Sequence, residues 1–326
     1  MADRQLTLAD SLVHGSLGAN RKLEAIATVI DWRPLERLAQ AARPVRETGR
    51  PAYAAGALLK ALYLQMLYGL SDAGLEEALG DRVSFRRFCG YALDEAVPDE
   101  TTICRFRQAM VAKQVLIACF EEINRQLDAQ GLVLRKGTML DATIVQAASR
   151  KPDVKEGKDA RASREPGANF TRKNGKTYFG YRLHLGADEG SILIRTLAWT
   201  PASINESSVA DALICGDEDA VYGDKGYENK HRRARLKVAG IKDRICHRAH
   251  KHQPELPHWK NVRNKLIAKV RAPVESVFGT MKRTFGFTRA RYTSFAANAA
   301  DAFRFAAVYN LRRAASMLTK QRESCA

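Results

Sequence analysis

Residues 138–145 read Thr-Met-Leu-Asp-Ala-Thr-Ile-Val, and this stretch places one carboxylate inside a run of large apolar and β-branched side chains. Such a run is typical of a buried strand. An unpaired carboxylate is costly there, because burial removes its charge from water. Asp141 therefore needs either a neighbouring base or a bound cation, and the stretch by itself favours neither.

Two further acidic residues stand in settings of related kinds. Asp224 lies in Val-Tyr-Gly-Asp-Lys-Gly-Tyr, where a short apolar run ends at a turn, and Glu275 lies in Arg-Ala-Pro-Val-Glu-Ser-Val-Phe-Gly, in a helical region over 267–283. Carboxylates at the ends of neighbouring strands, facing a third from a helix, make a site for hard divalent cations such as Mg²⁺, which take oxygen ligands. Together on a basic chain, the three acids indicate a metal-dependent nuclease.

The composition describes a folded, strongly basic protein. Of its 326 residues 45% are hydrophobic, enough for one large domain or two ordinary ones. Lys and Arg number 53 against 36 Asp and Glu, so the net charge of +17 favours a polyanionic partner, most commonly nucleic acid. We see no membrane-spanning stretch or apolar signal core, and we expect a cytoplasmic protein with six reduced cysteines, nucleoid-associated when bound to DNA.

The first part of the chain has the pattern of short helices separated by Gly and Pro. Residues 1–50 have weak periodicity, and helical spacing begins at Tyr53. We expect an N-terminal segment over 1–48 and a helical module over 49–132 that binds DNA or dimerises. Candidate phosphate contacts there are Arg86, Arg87, Arg105 and Arg107. Alternatively, these arginines solvate a helical packing domain.

From Gly137 the pattern changes to an α/β layer architecture, with three antiparallel strands first and then alternating helices and strands. We set this domain at 133–292 and a C-terminal helix and tail at 293–326. A basic insertion, 150–176, has few large apolar residues and is predicted to be a mobile loop or an arm ordered by DNA. A second insertion, 247–264, holds histidines beside Cys246, but their spacing matches no closed zinc site.

With these motifs placed, the chain resembles the DDE transposases of bacterial insertion sequences, specifically the family typified by insertion sequence 5, related to the insertion sequence 4 group. The likeness covers about 45–315. In the helical part, Gly-Arg-Pro-Ala-Tyr at 49–53 and Pro-Asp-Glu-Thr-Thr-Ile-Cys-Arg-Phe-Arg at 98–107 match the family. In the α/β part, the matches include Asp141-Ala-Thr, Tyr222-Gly-Asp-Lys-Gly-Tyr227 and Glu275-Ser-Val-Phe-Gly.

The resemblance implies a ribonuclease-H-like catalytic core in which Asp141, Asp224 and Glu275 hold two Mg²⁺ ions, with Mn²⁺ as a substitute. Relatives carry a tyrosine, arginine, glutamate and lysine signature around the third acid. Arg271 and Lys282 fit its arginine and lysine, whereas the tyrosine position is Ala268. Pro273 prefers a helix's first turn, so Glu275 is predicted near a helix start. Further candidate DNA contacts are Lys225, Arg289 and Arg291.

The resemblance further implies a transposase that binds the terminal inverted repeats of its element. It would hydrolyse phosphodiester bonds at the element ends, free 3′-hydroxyl groups and join them to target DNA, as a dimer or larger assembly on paired ends. One ion would activate water and the other would stabilise the leaving 3′ oxygen. Two alternatives stay open: a DNA-binding regulator derived from a transposase that no longer cuts, and a ribonuclease-H-like nuclease without strand joining.

Overall fold

The computed structural model describes residues 19–43, 52–152, 164–249 and 255–325. The chain divides into two compact units, Met1–Leu127 with Asn310–Ala326, and Asp128–Tyr309. Within the described ranges, no helix combines the length and the apolar character needed to cross a membrane.

The first unit is helical, and its most deeply buried helix is α3 (Ala55–Tyr68), in which every residue from Ala55 to Met66 except Lys60 is buried. Two helices precede it, although the sequence showed only weak periodicity before residue 50. Asn20 caps the first of them by accepting two backbone N–H groups, and Pro34 lies in the first turn of the second. The helices of this part are α1 (Arg21–Ala27), α2 (Arg33–Ala41), α3, α4 (Asp72–Asp81), α5 (Val83–Cys89), α6 (Glu100–Ala112) and α7 (Val115–Ala129).

The second unit is built on a six-stranded mixed sheet. Its strands are β1 (Thr138–Gln146), β2 (Asn169–Lys173), β3 (Lys176–Asp188), β4 (Ile194–Pro201), β5 (Ala220–Gly223) and β6 (Lys242–Ile245). Their order is β2-β3-β1-β5-β6, and β4 also pairs with β3. Strand β3 runs antiparallel to β1, β2 and β4, whereas β5 is parallel to β1 and β6 is parallel to β5. The predicted α/β fold with antiparallel strands first is therefore confirmed.

Strand β2 lies inside the basic insertion that was predicted to be a mobile loop. It pairs with the start of β3 through a tight turn at Asn174 and Gly175, whose φ angles of 50° and 78° suit a two-residue hairpin. The loop prediction is therefore wrong for 169–173, because backbone pairing with β3 replaces the missing apolar contacts. Residues 153–163 of the insertion lie outside the described residues.

The helical region predicted over 267–283 is two helices. A short 3-10 turn, Ala272–Val274, contains Pro273 and separates them, since proline lacks the N–H needed in a helix interior. Glu275 is the first residue of the second helix, as its position after the proline predicts. The helices of this part are α8 (Glu206–Val209), α9 (Lys230–Val238), α10 (His258–Arg271), α11 (Glu275–Arg283) and α12 (Phe295–Cys325).

A fully buried arginine joins the elements that follow β4 and β5. Arg232, on α9, has a relative exposure of 1%. Its guanidinium donates to the carbonyl oxygens of Tyr227 and Ser207, and its Nε lies 2.7 Å from Asp211 Oδ1. A guanidinium presents several donors in a fixed plane, so one side chain joins α9 to two other segments, 206–213 and 225–227. We call this set of contacts the Arg232 clamp.

Replacing Arg232 by methionine is expected to lower the free energy of unfolding by about 3 kcal/mol, because the buried carbonyl of Tyr227, the partly buried carbonyl of Ser207 and Asp211 lose their partner. Arg235→Met is the matched control, since Arg235 also lies on α9 and pairs with Asp211, at 3.0 Å, but its side chain is 63% exposed. Its loss should stay within about 0.5 kcal/mol. Urea denaturation followed by circular dichroism measures the free energy of unfolding of both variants. Equal losses of stability would contradict the stabilising role of the Arg232 clamp.

Candidate functional site

Two of the three predicted acids lie on neighbouring parallel strands, Asp141 within β1 and Asp224 directly after β5. The pairing of β1 with β5 places Met139 opposite Tyr222. Asp141 and Asp224 each lie two residues further along the chain, so both reach the same level. Parallel neighbours run about 4.8 Å apart. The sheet register therefore brings these two carboxylates together.

Asp141 is mostly buried and already has partners. Its Oδ1 accepts the N–H of Ala142 at 2.9 Å, and its Oδ2 lies 3.0 Å from Arg271 Nη1. Burial raises the pKa of Asp141, the Arg271 charge opposes this, and the Asp224 charge adds to it. Arg271 ends α10, so the helix before the 3-10 turn supplies the cation that balances Asp141 in this structure.

Glu275 is exposed at the start of α11. Val274, just before this helix, and Val277 and Met281, on it, are buried. All three acids are among the described residues, and they do not form a group whose ligand atoms all lie within 4.8 Å of one another. The structure therefore brings Arg271 and the charge of Asp224 to Asp141, while the three predicted acids together do not form a close group in the described residues.

Lys282, on α11, lies near a second lysine that the sequence did not single out. Burial lowers the pKa of Lys282, and the charge of Lys173 lowers it further. Lys173 ends β2, and its charge also lowers the pKa of Asp141. The β2–β3 hairpin thus brings a cation to the carboxylates, and the Asn-Gly pair after Lys173 was the available sequence signal for that hairpin.

An open pocket of about 380 Å³ adjoins Asp224. Lys225 and Arg248 line it, and both are exposed. Asp224 Oδ1 accepts the N–H of Gly226 at 2.7 Å, which fixes the turn at the pocket's edge. The pocket joins one carboxylate to two cationic side chains, an arrangement that suits a phosphate beside a metal ligand.

The remaining candidate cations of the second unit follow α11. The N–H of Gln146, at the end of β1, donates to the carbonyl of Thr288, and the N–H of Ala290 donates to the carbonyl of Gln146. These bonds bring Arg289, which is exposed, and Arg291, which is partly buried, to the strand that carries Asp141.

In the helical unit, three of the four candidate arginines have protein partners. Arg107 is buried and donates two hydrogen bonds to Asp72, at 2.6 and 2.7 Å. Arg86 donates to the carbonyls that follow α5, including that of Ala92 at 2.8 Å, and Arg87 lies 3.5 Å from Glu24. These bonds would have to break before the side chains could bind phosphate. Arg105 is exposed.

One other acidic group is compact. Among the described residues, Cys215, Asp217 and Glu218 are the set of possible metal ligands that lie within 4.8 Å of one another. Arg135 and Arg195 bind Asp217 at 2.8 and 2.6 Å, and Arg195 lies 3.7 Å from Glu218. Because arginines balance these charges, the group has no evident need of a cation.

Comparison with known families agrees with the two units of the chain. The family described as Transposase DDE domain matches residues 134–311, more than half of the chain. The family described as Transposase domain (DUF772) matches residues 13–109. No solved structure matches the chain significantly. The DDE match covers Asp141, Asp224, Glu275, Arg271 and Lys282.

Replacing Lys173 by glutamine is expected to raise the pKa of Lys282. Lys173 disfavours the charged ammonium, so its removal shifts the loss of the proton to higher pH, while burial keeps the pKa below that of a free lysine. The titration of ¹³C-methylated lysines by NMR measures this change. Lys176→Gln, beyond the hairpin turn, is the control and should leave the curve unmoved. An unchanged titration curve of Lys282 in Lys173→Gln would mean that the charge of Lys173 does not affect the pKa of Lys282.

Proposed function

The chain belongs to the transposases with a DDE domain, and from this premise we propose that it cuts DNA at the ends of a mobile element and joins those ends to target DNA. The family implies a ribonuclease-H-like core, which agrees with the mixed sheet. We place the chain in the insertion sequence 5 family, related to the insertion sequence 4 group, on the motifs at 98–107 and 222–227. The element's terminal inverted repeats are the proposed cutting sites.

The observation that carries the proposal is the register of β1 against β5, which sets Asp141 beside Asp224. Burial raises the pKa of Asp141, and the neighbouring charge of Asp224 adds to the rise, while Arg271 opposes it. The strands around the pair are buried. Such a pair on a chain with a net charge of +17 suits a cation-dependent reaction on a polyanion.

The oxygen donors present fit hard divalent ions. Asp141 and Asp224 would hold them, and Glu275 is the proposed third carboxylate of the set. Bound Mg²⁺, or Mn²⁺ in its place, supplies Lewis acidity for the attacking and leaving oxygens of an in-line displacement. Binding requires Arg271 to release Asp141 Oδ2 or to share it, so Arg271 becomes available to a phosphate when the ions are present.

The reaction proceeds in two displacements at phosphorus. Water attacks the phosphodiester at the element end, the bond from phosphorus to the 3′ oxygen breaks, and the products are a 3′-hydroxyl and a 5′-phosphate. The 3′-hydroxyl then attacks a target phosphodiester, forms a new bond to phosphorus and displaces a target 3′-hydroxyl. No covalent bond to the protein forms, so no serine or tyrosine nucleophile is needed.

Cations around the acids hold the phosphates in place. Lys282 and Arg271 contact the phosphates that flank the cleaved bond, and Lys173 acts beside them. Lys225 and Arg248 receive a phosphate in the pocket next to Asp224. Arg289 and Arg291 extend this cationic surface along the end of β1. Each contact adds electrostatic affinity without reading the sequence.

The remaining part of the proposal concerns the domains of the chain and its assembly on DNA. We assign residues 49–132 as the helical module that contacts DNA or a second copy. Among its candidate arginines, Arg105 is exposed. Arg86, Arg87 and Arg107 stay candidates, but their bonds to other protein groups must first open. The remaining bounds are 1–48 for the N-terminal segment, 133–292 for the catalytic domain and 293–326 for the C-terminal helix. Cutting both ends together requires a dimer or larger assembly.

Cleavage of labelled linear DNA that carries the element's own end tests the proposal, on a denaturing gel with Mg²⁺ or Mn²⁺. Wild type should cut at the repeat boundary. Asp224→Asn should lower the rate by at least about a hundredfold while DNA binding survives, because the anionic ligand is lost. Asp219→Asn is the matched control, since Asp219 is exposed just before the same strand, and it should cut at the wild-type rate.

The outcomes separate the alternatives. Binding without cutting by wild type, on paired ends with both metals, would make the chain a regulator. Cutting at the boundary with no joining to a target plasmid would leave a nuclease. Equal cutting by wild type and Asp224→Asn would remove Asp224 from the site.

A further inference from the structure

We propose that Glu206 is an additional carboxylate ligand of the metal site, binding a divalent cation together with Asp224. Glu206 is not one of the three acids that the resemblance implies. The inference rests on the proposed function, because it adds a ligand to the same site. It follows from the position of Glu206, from a gap that its carboxylate shares with Asp224, and from a buried hydroxyl without a partner among the described residues.

The backbone around Glu206 is held firmly. Asn205 caps the short helix α8 by accepting the N–H of Ser207 at 2.9 Å. The carbonyl of Ser207 accepts from Arg232, which belongs to the clamp described above. The side chain of Glu206 is 25% exposed, and its Oε1 lies 3.3 Å from Arg182 Nη1. One carboxylate oxygen is therefore directed to an arginine, which leaves the other to point elsewhere.

That second oxygen faces the turn of Asp224. A Cβ atom added at Gly226 would lie 2.9 Å from Asp224 Oδ1 and 3.4 Å from Glu206 Oε2. The two oxygens thus border one small space, which the absence of a side chain at Gly226 keeps open. Anionic oxygens around a common space are the donor set that a hard divalent cation takes.

The hydroxyl of Tyr227 gives the independent evidence for a ligand. Tyr227 is fully buried, and its hydroxyl has no hydrogen-bond partner among the described residues. After burial, the charges of Glu206, Asp141 and Asp224 contribute most to raising the pKa of this hydroxyl, so it lies near them. An unpaired buried hydroxyl is costly. A water or phosphate oxygen of the occupied site would supply the missing partner.

The charges agree with this assignment. Burial raises the pKa of Glu206; Arg182 opposes the rise, while Asp224 and Asp141 add to it. Burial and the neighbouring carboxylates both disfavour the negative charge at this position, and a bound divalent cation would favour it. Glu206 is therefore placed to strengthen the binding of the ion that Asp224 holds.

The competing interpretation is a structural ion pair between Glu206 and Arg182. In that case removing either partner should have the same effect on stability and none on metal affinity. If Glu206 is a ligand, the substitutions of the two partners change the metal affinity in opposite directions. Glu206→Gln weakens metal binding, whereas Arg182→Met strengthens it, because Arg182 competes with the cation for the same carboxylate.

Mn²⁺ binding to the full chain without DNA tests the inference, with free Mn²⁺ measured by its EPR signal at pH 7. Glu206→Gln should raise the Mn²⁺ dissociation constant at least about tenfold, as expected for the loss of an anionic ligand. Glu206→Asp keeps the charge and should raise it less. Glu228→Gln is the matched control, since Glu228 is also half-buried and lies 3.1 Å from Arg233, and it should bind as wild type does.

Thermal melting of every variant shows whether it folds, and if Glu206→Gln does not, Glu206→Asp and Arg182→Met still give the comparison. Wild-type affinity in Glu206→Gln, with binding lost in Asp224→Asn, would overturn this inference alone. An Arg182→Met affinity weaker than wild type would also count against it. Unchanged binding in both Asp141→Asn and Asp224→Asn would overturn the metal site of the proposed function, and this inference with it.

Discussion

The buried charge of Arg232 is the constraint on which the second unit's site depends. Its guanidinium holds the carbonyls of Ser207 and Tyr227 and the carboxylate of Asp211, so it ties α9 to two other segments of the chain. Both segments continue directly into functional groups, at Glu206 and at Asp224. A buried guanidinium is stable only with all its partners in place. The Arg232 clamp therefore fixes the positions of the Glu206 and Asp224 backbones when the protein folds.

The site itself is a balance between acids and arginines. Arg271 pairs with Asp141, and Arg182 pairs with Glu206, at 3.0 and 3.3 Å. In each pair the arginine charge lowers the pKa of the carboxyl group, against the rise that burial causes. In the proposed function, the same arginines would become free to bind phosphate once a cation binds the acids. Charge balance thus links ion binding to substrate binding, which suits a reaction on a polyanionic backbone.

Local patterns in the sequence were reliable where one interaction dominates. Apolar, β-branched runs predicted β1 and the strand before Asp224, because burial decides such strands. Pro273 predicted the helix start at Glu275, because its missing N–H ends a helix locally. Strand β2 was missed, since its stability comes from pairing with β3 and not from its own composition. Arg107 was a candidate DNA contact with a packing role as the alternative, because its sequence gives no sign of Asp72, 2.6 Å away in the fold.

By itself, the sequence determined the α/β class, the basic character and the identity of Asp141, Asp224 and Glu275 as the candidate acids, because residue type and spacing carry that information. The tertiary structure alone decided which charges meet. It set Arg271 on Asp141, Lys173 near Lys282, and Glu206 beside Asp224 across Gly226. Those neighbours come from strand register and from the Arg232 clamp, and contacts between distant segments leave no periodic signal in a single chain.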